Sequence, residues 1–158
     1  MKKICLIILV FYNLCNAQLD VYFPLRTMHL DNEKRGNYIQ GEGGNVGVVL
    51  DFTDKKINYS IGYVINSFGD ASLLGSVGYS FELGKIKSVI SLGLSNGYEY
   101  IYKNNMNALE LGDFFDRNGI LPLALYSVKL PVYKNMGVQL NLSPVYLNYG
   151  VYFDIDRK

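Results

Sequence analysis

The chain holds a single histidine, His29, the side chain here whose ordinary titration lies nearest neutral pH. A short polar stretch, Asn66-Ser67-Phe68-Gly69-Asp70, brings a hydroxyl, an amide and a carboxylate close together in sequence. Acyl transfer needs a general base beside an activated hydroxyl. His29 as base, Ser67 as hydroxyl and Asp70 as the group that orients the imidazole would meet that need. The same residues have a plainer reading. Ser, Asn and Asp favour turns through local hydrogen bonds, so Ser67 would cap a turn and His29 would sit in a rim hydrogen bond. Other chemistries find no support. There is no phosphate-binding loop, no zinc spacing and no nucleophile elbow. The acidic residues Glu110, Asp113 and Asp116 match no calcium-loop spacing and read as a solvated face. No cofactor and no metal is expected.

The first residues point to a membrane or extracytoplasmic destination. Met1-Lys2-Lys3 is a short basic start, Ile4 to Tyr12 an apolar core, and Cys15-Asn16-Ala17 a small-residue cleavage site. The apolar core is shorter than the ~20 residues a spanning helix needs. Residues 1–17 are therefore expected to be a signal peptide and 18–158 a single domain. Both cysteines, Cys5 and Cys15, lie in the leader, so the mature chain would have no disulfide, thiolate nucleophile or cysteine metal site. Removing Lys2 and Lys3 from 15 basic residues leaves 13 against 14 acidic ones, a net charge near −1. No basic footprint for nucleic acid remains.

The elements that must position His29 and Ser67 are strands. Ile57, Tyr59, Ile61, Tyr63 and Ile65 alternate with Asn58, Ser60, Gly62 and Val64, a period of two. One face is large and apolar, and the other is small and nearly uncharged. A water-facing strand would show Lys, Glu or Thr, whereas an apolar face in lipid and a small polar face in a narrow lumen give this pattern. The pattern recurs at 45–52, 72–83, 86–95, 137–143 and 149–155. Two more apolar segments, about 19–30 and 120–130, are interrupted by Pro24, Pro122 and Pro131, where an edge, bulge or break in pairing is expected. Eight strands close a small barrel. The connections alternate, with 31–44 and 96–119 the longest and 53–56, 84–85 and 133–135 short; 144–148 reads as moderate. That bias fits outer loops and periplasmic turns. The expected fold is an all-β, eight-stranded antiparallel transmembrane β-barrel in the outer membrane.

Several segments, in order along the chain, resemble the lipid A palmitoyltransferase family of outer-membrane acyltransferases. Asp20-Val21-Tyr22-Phe23-Pro24 followed by His29 resembles that family's first strand. Tyr38 with Gly41, Gly43, Gly44 and Gly47 resembles its glycine-rich entry to the second strand. Asn66-Ser67-Phe68 resembles its Asp-Ser-Trp, Ile120-Leu121-Pro122-Leu123 its sixth strand, and Leu142-Ser143-Pro144 with Val151-Tyr152-Phe153 its last hairpin. The resemblance implies acyl transfer from a phospholipid to lipid A, with catalytic roles on His29, Ser67 and Asn66. At Asn66 the family has Asp; an amide can hydrogen-bond but cannot act as a base. The family's N-terminal amphipathic helix and its Trp residues have no counterpart here.

Membrane lipids, phospholipid and lipid A, are the expected partners, and a monomer is expected. The alternative reading is a non-enzymatic outer-membrane surface barrel whose loops bind or mask a partner. In either case Lys34 and Arg35 could meet lipid phosphates, although Asp31-Asn32-Glu33-Lys34-Arg35 also reads as an exposed mixed-charge loop.

Overall fold

The structure, a computed structural model, describes residues 17–30, 46–66, 69–98, 119–144 and 146–155. Eight strands follow one another: β1 Gln18–His29, β2 Gly47–Asp54, β3 Ile57–Ile65, β4 Ala71–Leu83, β5 Ile86–Ser95, β6 Leu121–Tyr133, β7 Met136–Leu142 and β8 Tyr146–Ile155. Each pairs antiparallel with the next, and β8 returns to β1, so the sheet closes as a barrel. Closure leaves no free edge, and backbone groups pair around the ring.

Three connections are two-residue turns: Lys55-Lys56, Gly84-Lys85 and Lys134-Asn135. They share one end of the barrel, the turn end. In each, the first residue has positive φ, 54° at Lys55, 65° at Gly84 and 45° at Lys134, which lets a tight hairpin follow the right-handed strand twist. Lysines at these turns lie over aromatic rings. Lys56 Nζ is 5.8 Å from the Tyr79 ring centroid and Lys134 Nζ is 5.3 Å from that of Tyr133. The opposite, loop end carries the connections after β1, β3, β5 and β7.

One expected connection is shorter than its sequence suggests. Residues 144–148 read as a moderate loop, yet β8 begins at Tyr146 and Leu147 pairs with Leu142. The Ser143 hydroxyl accepts a hydrogen bond from the Tyr146 amide at 3.0 Å, and the Ser143 amide donates to the Tyr146 carbonyl at 2.9 Å. That local turn ends the connection early.

The prolines act as expected at two of three positions. The β1–β8 register shifts between Pro24 and Arg26, and the β6–β7 register between Pro131 and Tyr133. Pro122 instead pairs with Leu94 in unbroken register. It lies in the part of β6 beyond the last β7 partner, Tyr126, so that side of it needs no ladder donor.

The alternation sorts side chains as the sequence suggests. Ile61 on β3 and Ile90 on β5 are each 56% exposed, and exposed large apolar residues occur on every strand except β2, where Val46 just precedes the strand. The interior holds the opposite set: Asp20, Asp51, Asn58, Ser76, Ser80, Ser91, Ser127, Lys129, Gln139 and Asn148 are all buried. Most buried side chains are thus polar, while many of the large apolar ones are exposed.

The inside is not uniformly small. Tyr22, Val49, Val64 and Tyr152 form a buried apolar cluster with Leu74 packed against it. Inward glycines make room for the two rings. A Cβ on Gly137 would sit 2.4 Å from Tyr152 Cε1 and 2.3 Å from the Leu130 carbonyl, and one on Gly150 would sit 2.8 Å from Tyr22 Cε2. Gly137→Ala is expected to destabilise the barrel by about 1–3 kcal/mol through overpacking. Denaturant unfolding of the refolded variant, followed by circular dichroism, measures it.

Candidate functional site

Of the sequence-derived candidates, His29, Asn66 and Asp70 are described, and they lie toward the loop end. His29 is the last residue of β1, and its backbone pairs with Tyr146. Ser67 lies outside the described residues, as do Lys34, Arg35 and the acidic residues Glu110, Asp113 and Asp116. Asp70 is exposed, and its backbone closes the β3–β4 connection.

Asn66 is among the described residues. It follows β3, is 1% exposed, and its amide serves three neighbours. Nδ2 donates to the Gly97 carbonyl at 2.7 Å and to Ser72 Oγ at 3.0 Å, and Oδ1 accepts from the Asp70 amide at 3.1 Å. The orientation has one solution. A carbonyl can only accept and a backbone N–H can only donate, so the NH₂ faces Gly97 and the oxygen faces Asp70. The Asn66 backbone N–H also donates to the Asp70 carbonyl at 2.8 Å. An aspartate here would set a carboxylate oxygen against the Gly97 carbonyl. These contacts suit an amide and not an acid at this position. Asn66→Asp is expected to cost about 1–3 kcal/mol, because it removes a donor from a buried acceptor. An unfolding series against wild type and Asn66→Ala checks it.

The residues that sequence reasoning missed lie in the lumen near the turn end. Lys129 on β6 is 1% exposed, and its Nζ is 2.5 Å from Asp20 Oδ2 on β1 and 2.9 Å from Asp51 Oδ2 on β2. Lys87 on β5 joins the cluster. Its Nζ lies 3.4 Å from Asp20 Oδ2, 3.1 Å from Thr53 Oγ1 and 3.3 Å from Gln18 Oε1. Two lysines and two aspartates thus neutralise each other across the barrel. Isolated charges here would be very costly, and pairing with added hydrogen bonds is what makes them tolerable. Lys129 also lies 5.6 Å from the Tyr152 ring centroid.

Above the cluster, β7, β8 and β1 present a wall of amides. The Tyr22 hydroxyl donates to Asn148 Oδ1, as does Asn141 Nδ2 at 3.3 Å, while Gln139 Nε2 donates to Asn141 Oδ1 at 2.9 Å. Asn148 Nδ2 donates to Thr27 Oγ1 at 2.9 Å and to the Arg26 carbonyl at 3.1 Å. Facing this wall, β3 to β6 contribute Ser60, Ser76, Ser91 and Ser127 among Val64, Leu74, Val89 and Leu123. Between the walls lies a cavity of about 80 Å³, reaching from Asp51 and Lys129 to Tyr98 and Tyr146. A water needs only ~10–15 Å³ of such space, so several fit.

The arrangement can hold water or a slender molecule within a partly apolar, partly hydroxylated bore. One end is bounded by neutralised charge. Neither a protein-family model nor a curated protein matches this sequence.

Proposed function

We propose that the protein is an integral outer-membrane barrel that holds its long connections, 30–46 and 96–120, on the outer side. The observation that supports this is the inverted partition: large apolar side chains exposed from strand after strand, with Asp, Lys, Asn, Gln and Ser turned inward. A water-soluble barrel of this kind would expose far more hydrophobic surface than monomers tolerate. Such a barrel is anchored by its wall, and its outer connections are free to bind or mask a partner. Fractionation tests the anchor. Recovery in the outer membrane, resistant to carbonate and shifted on gels by heating, is the expected result; recovery in the soluble periplasm refutes it. Deleting residues 98–116 is expected to abolish partner binding while leaving the heat shift intact.

A second reading, acyl transfer from a phospholipid to a lipid A-type acceptor, draws on one specific feature. The cavity continues toward the end of the barrel where β1 finishes at His29 and β3 finishes before Asn66 and Ser67, and Val64, Leu74 and Leu123 line its wall. In this reading His29 takes the proton of the acceptor's hydroxyl as it attacks the phospholipid ester, the ester bond breaks, and the proton leaves with the lysophospholipid; Ser67 supplies a hydroxyl to hydrogen-bond the reacting groups. Asn66 contributes position rather than proton transfer, because its amide is engaged with Gly97, Ser72 and Asp70. Mass spectrometry of lipid A from cells with and without the protein decides the matter. An added acyl chain that disappears in His29→Ala supports transfer, and an unchanged pattern removes it.

A further inference from the structure

Four charges inside the barrel exceed what neutral packing of a narrow bore requires, and inward ionisable groups in a membrane-spanning element commonly mark a path for ions. We propose that the lumen is a gated path for small monovalent ions, closed by the Lys87, Asp20, Lys129 and Asp51 cluster. The inference rests on the membrane-spanning reading and extends it to permeation.

The position of the cluster supports this. Asp51 and Lys129 line the cavity, whereas Lys87, with a 17% exposed side chain, sits where the cluster meets the turn end. The cluster therefore lies between the water-sized space and the turn end. The bore of an eight-stranded barrel is just wide enough for side chains to fill, so charged side chains of this length can block it.

The pairing pattern supplies two arrangements. Asp20 Oδ2 is shared between Lys129 at 2.5 Å and Lys87 at 3.4 Å, and Lys129 is shared between Asp20 and Asp51. If Lys129 swings from Asp20 toward Asp51, Asp20 keeps Lys87 and Lys129 keeps Asp51. Every charge retains a partner, so the seal can part without stranding one. The walls above offer hydroxyls to a passing ion between apolar side chains. Ser60, Ser76, Ser91 and Ser127 line them with Val64, Leu74, Val89 and Leu123, and Gln139, which also lines them, has its Oε1 buried without a hydrogen-bond partner among the described residues.

Selectivity separates a gate from a purely structural keystone. The intact cluster is neutral. Neutralising a lysine leaves one excess negative charge in the bore and favours cations, and neutralising an aspartate favours anions. The test reconstitutes the full-length protein in planar bilayers under a KCl gradient. Wild type is expected to be mostly closed, with brief openings. Lys87→Gln, at the partly exposed edge of the cluster, is expected to open several-fold more often with a reversal potential toward that of K⁺. Asp20→Asn is expected to shift it toward that of Cl⁻. Lys129→Gln serves as a second lysine variant. Silence from all variants that float with vesicles and keep the heat-shifted gel mobility overturns the gate, as does a selectivity that ignores the sign of the substitution. Failure of wild type itself to float with vesicles overturns the membrane reading instead.

Discussion

Lys129→Met is expected to destabilise the folded barrel by about 3–5 kcal/mol, because it strands the buried Asp51 carboxylate and leaves Asp20 with only its longer contact to Lys87. Asp20 and Asp51 are 1% and 5% exposed, and Lys129 is the cation nearest both. Lys87 reaches only Asp20, at 3.4 Å, so Asp51 loses its only ion-pair partner among the described residues. The prediction has an internal control. Adding Asp20→Asn and Asp51→Asn to Lys129→Met removes the uncompensated charge, and most of the lost stability is expected to return, since breaking a buried pair costs far more than replacing it. The chain has no Trp, so unfolding in lipid vesicles is followed by circular dichroism or by gel mobility. If Lys129→Met unfolds at the wild-type denaturant midpoint, the cluster has no structural weight.

Ile61→Arg and Ile90→Arg carry the second large expected effect, and its size depends on the solvent outside the barrel. Both residues lie near the middle of their strands and are 56% exposed. In a bilayer an outward Arg at mid-depth costs about 2–4 kcal/mol, falling toward the interfaces. In water, surface substitutions of this kind usually change stability by no more than about 0.5 kcal/mol. A control at the turn end, Lys85→Arg, is expected to be neutral in both cases. A uniform absence of effect at Ile61 and Ile90 in lipid vesicles would contradict a lipid-facing wall.

The barrel was legible because alternation is a local signal. Residues 57–65 and 86–95 form strands at the same bounds that their patterns suggest, and the even strand number follows from counting such segments. The error at 144–148 arose where Ser143 and Tyr146 bond each other, an interaction that no periodicity reports. The lumen cluster was hidden for two reasons. Asp20 and Lys129 lie in the segments that Pro24 and Pro131 interrupt. The shift between Pro24 and Arg26 also puts Arg26 outside although its even number matches Asp20, Tyr22 and Pro24, so phase cannot be carried across it. The second reason is distance. Lys129 and Asp20 are 109 residues apart, and only closure of the ring brings them together. Asn66 was singled out by likeness to a catalytic acid, whereas its described contacts are those of a pinned turn.

Those contacts have an engineering consequence. Asn66 holds the Gly97 carbonyl at 2.7 Å, and the Tyr98 amide donates to the Gly119 carbonyl at 3.1 Å. The two ends of the long segment between β5 and β6 are thus fastened to each other and to a neighbouring hairpin. Foreign peptides spliced in place of residues 99–118 would start and finish on a base fixed by Gly97, Tyr98 and Gly119, which makes this chain a candidate frame for presenting peptides.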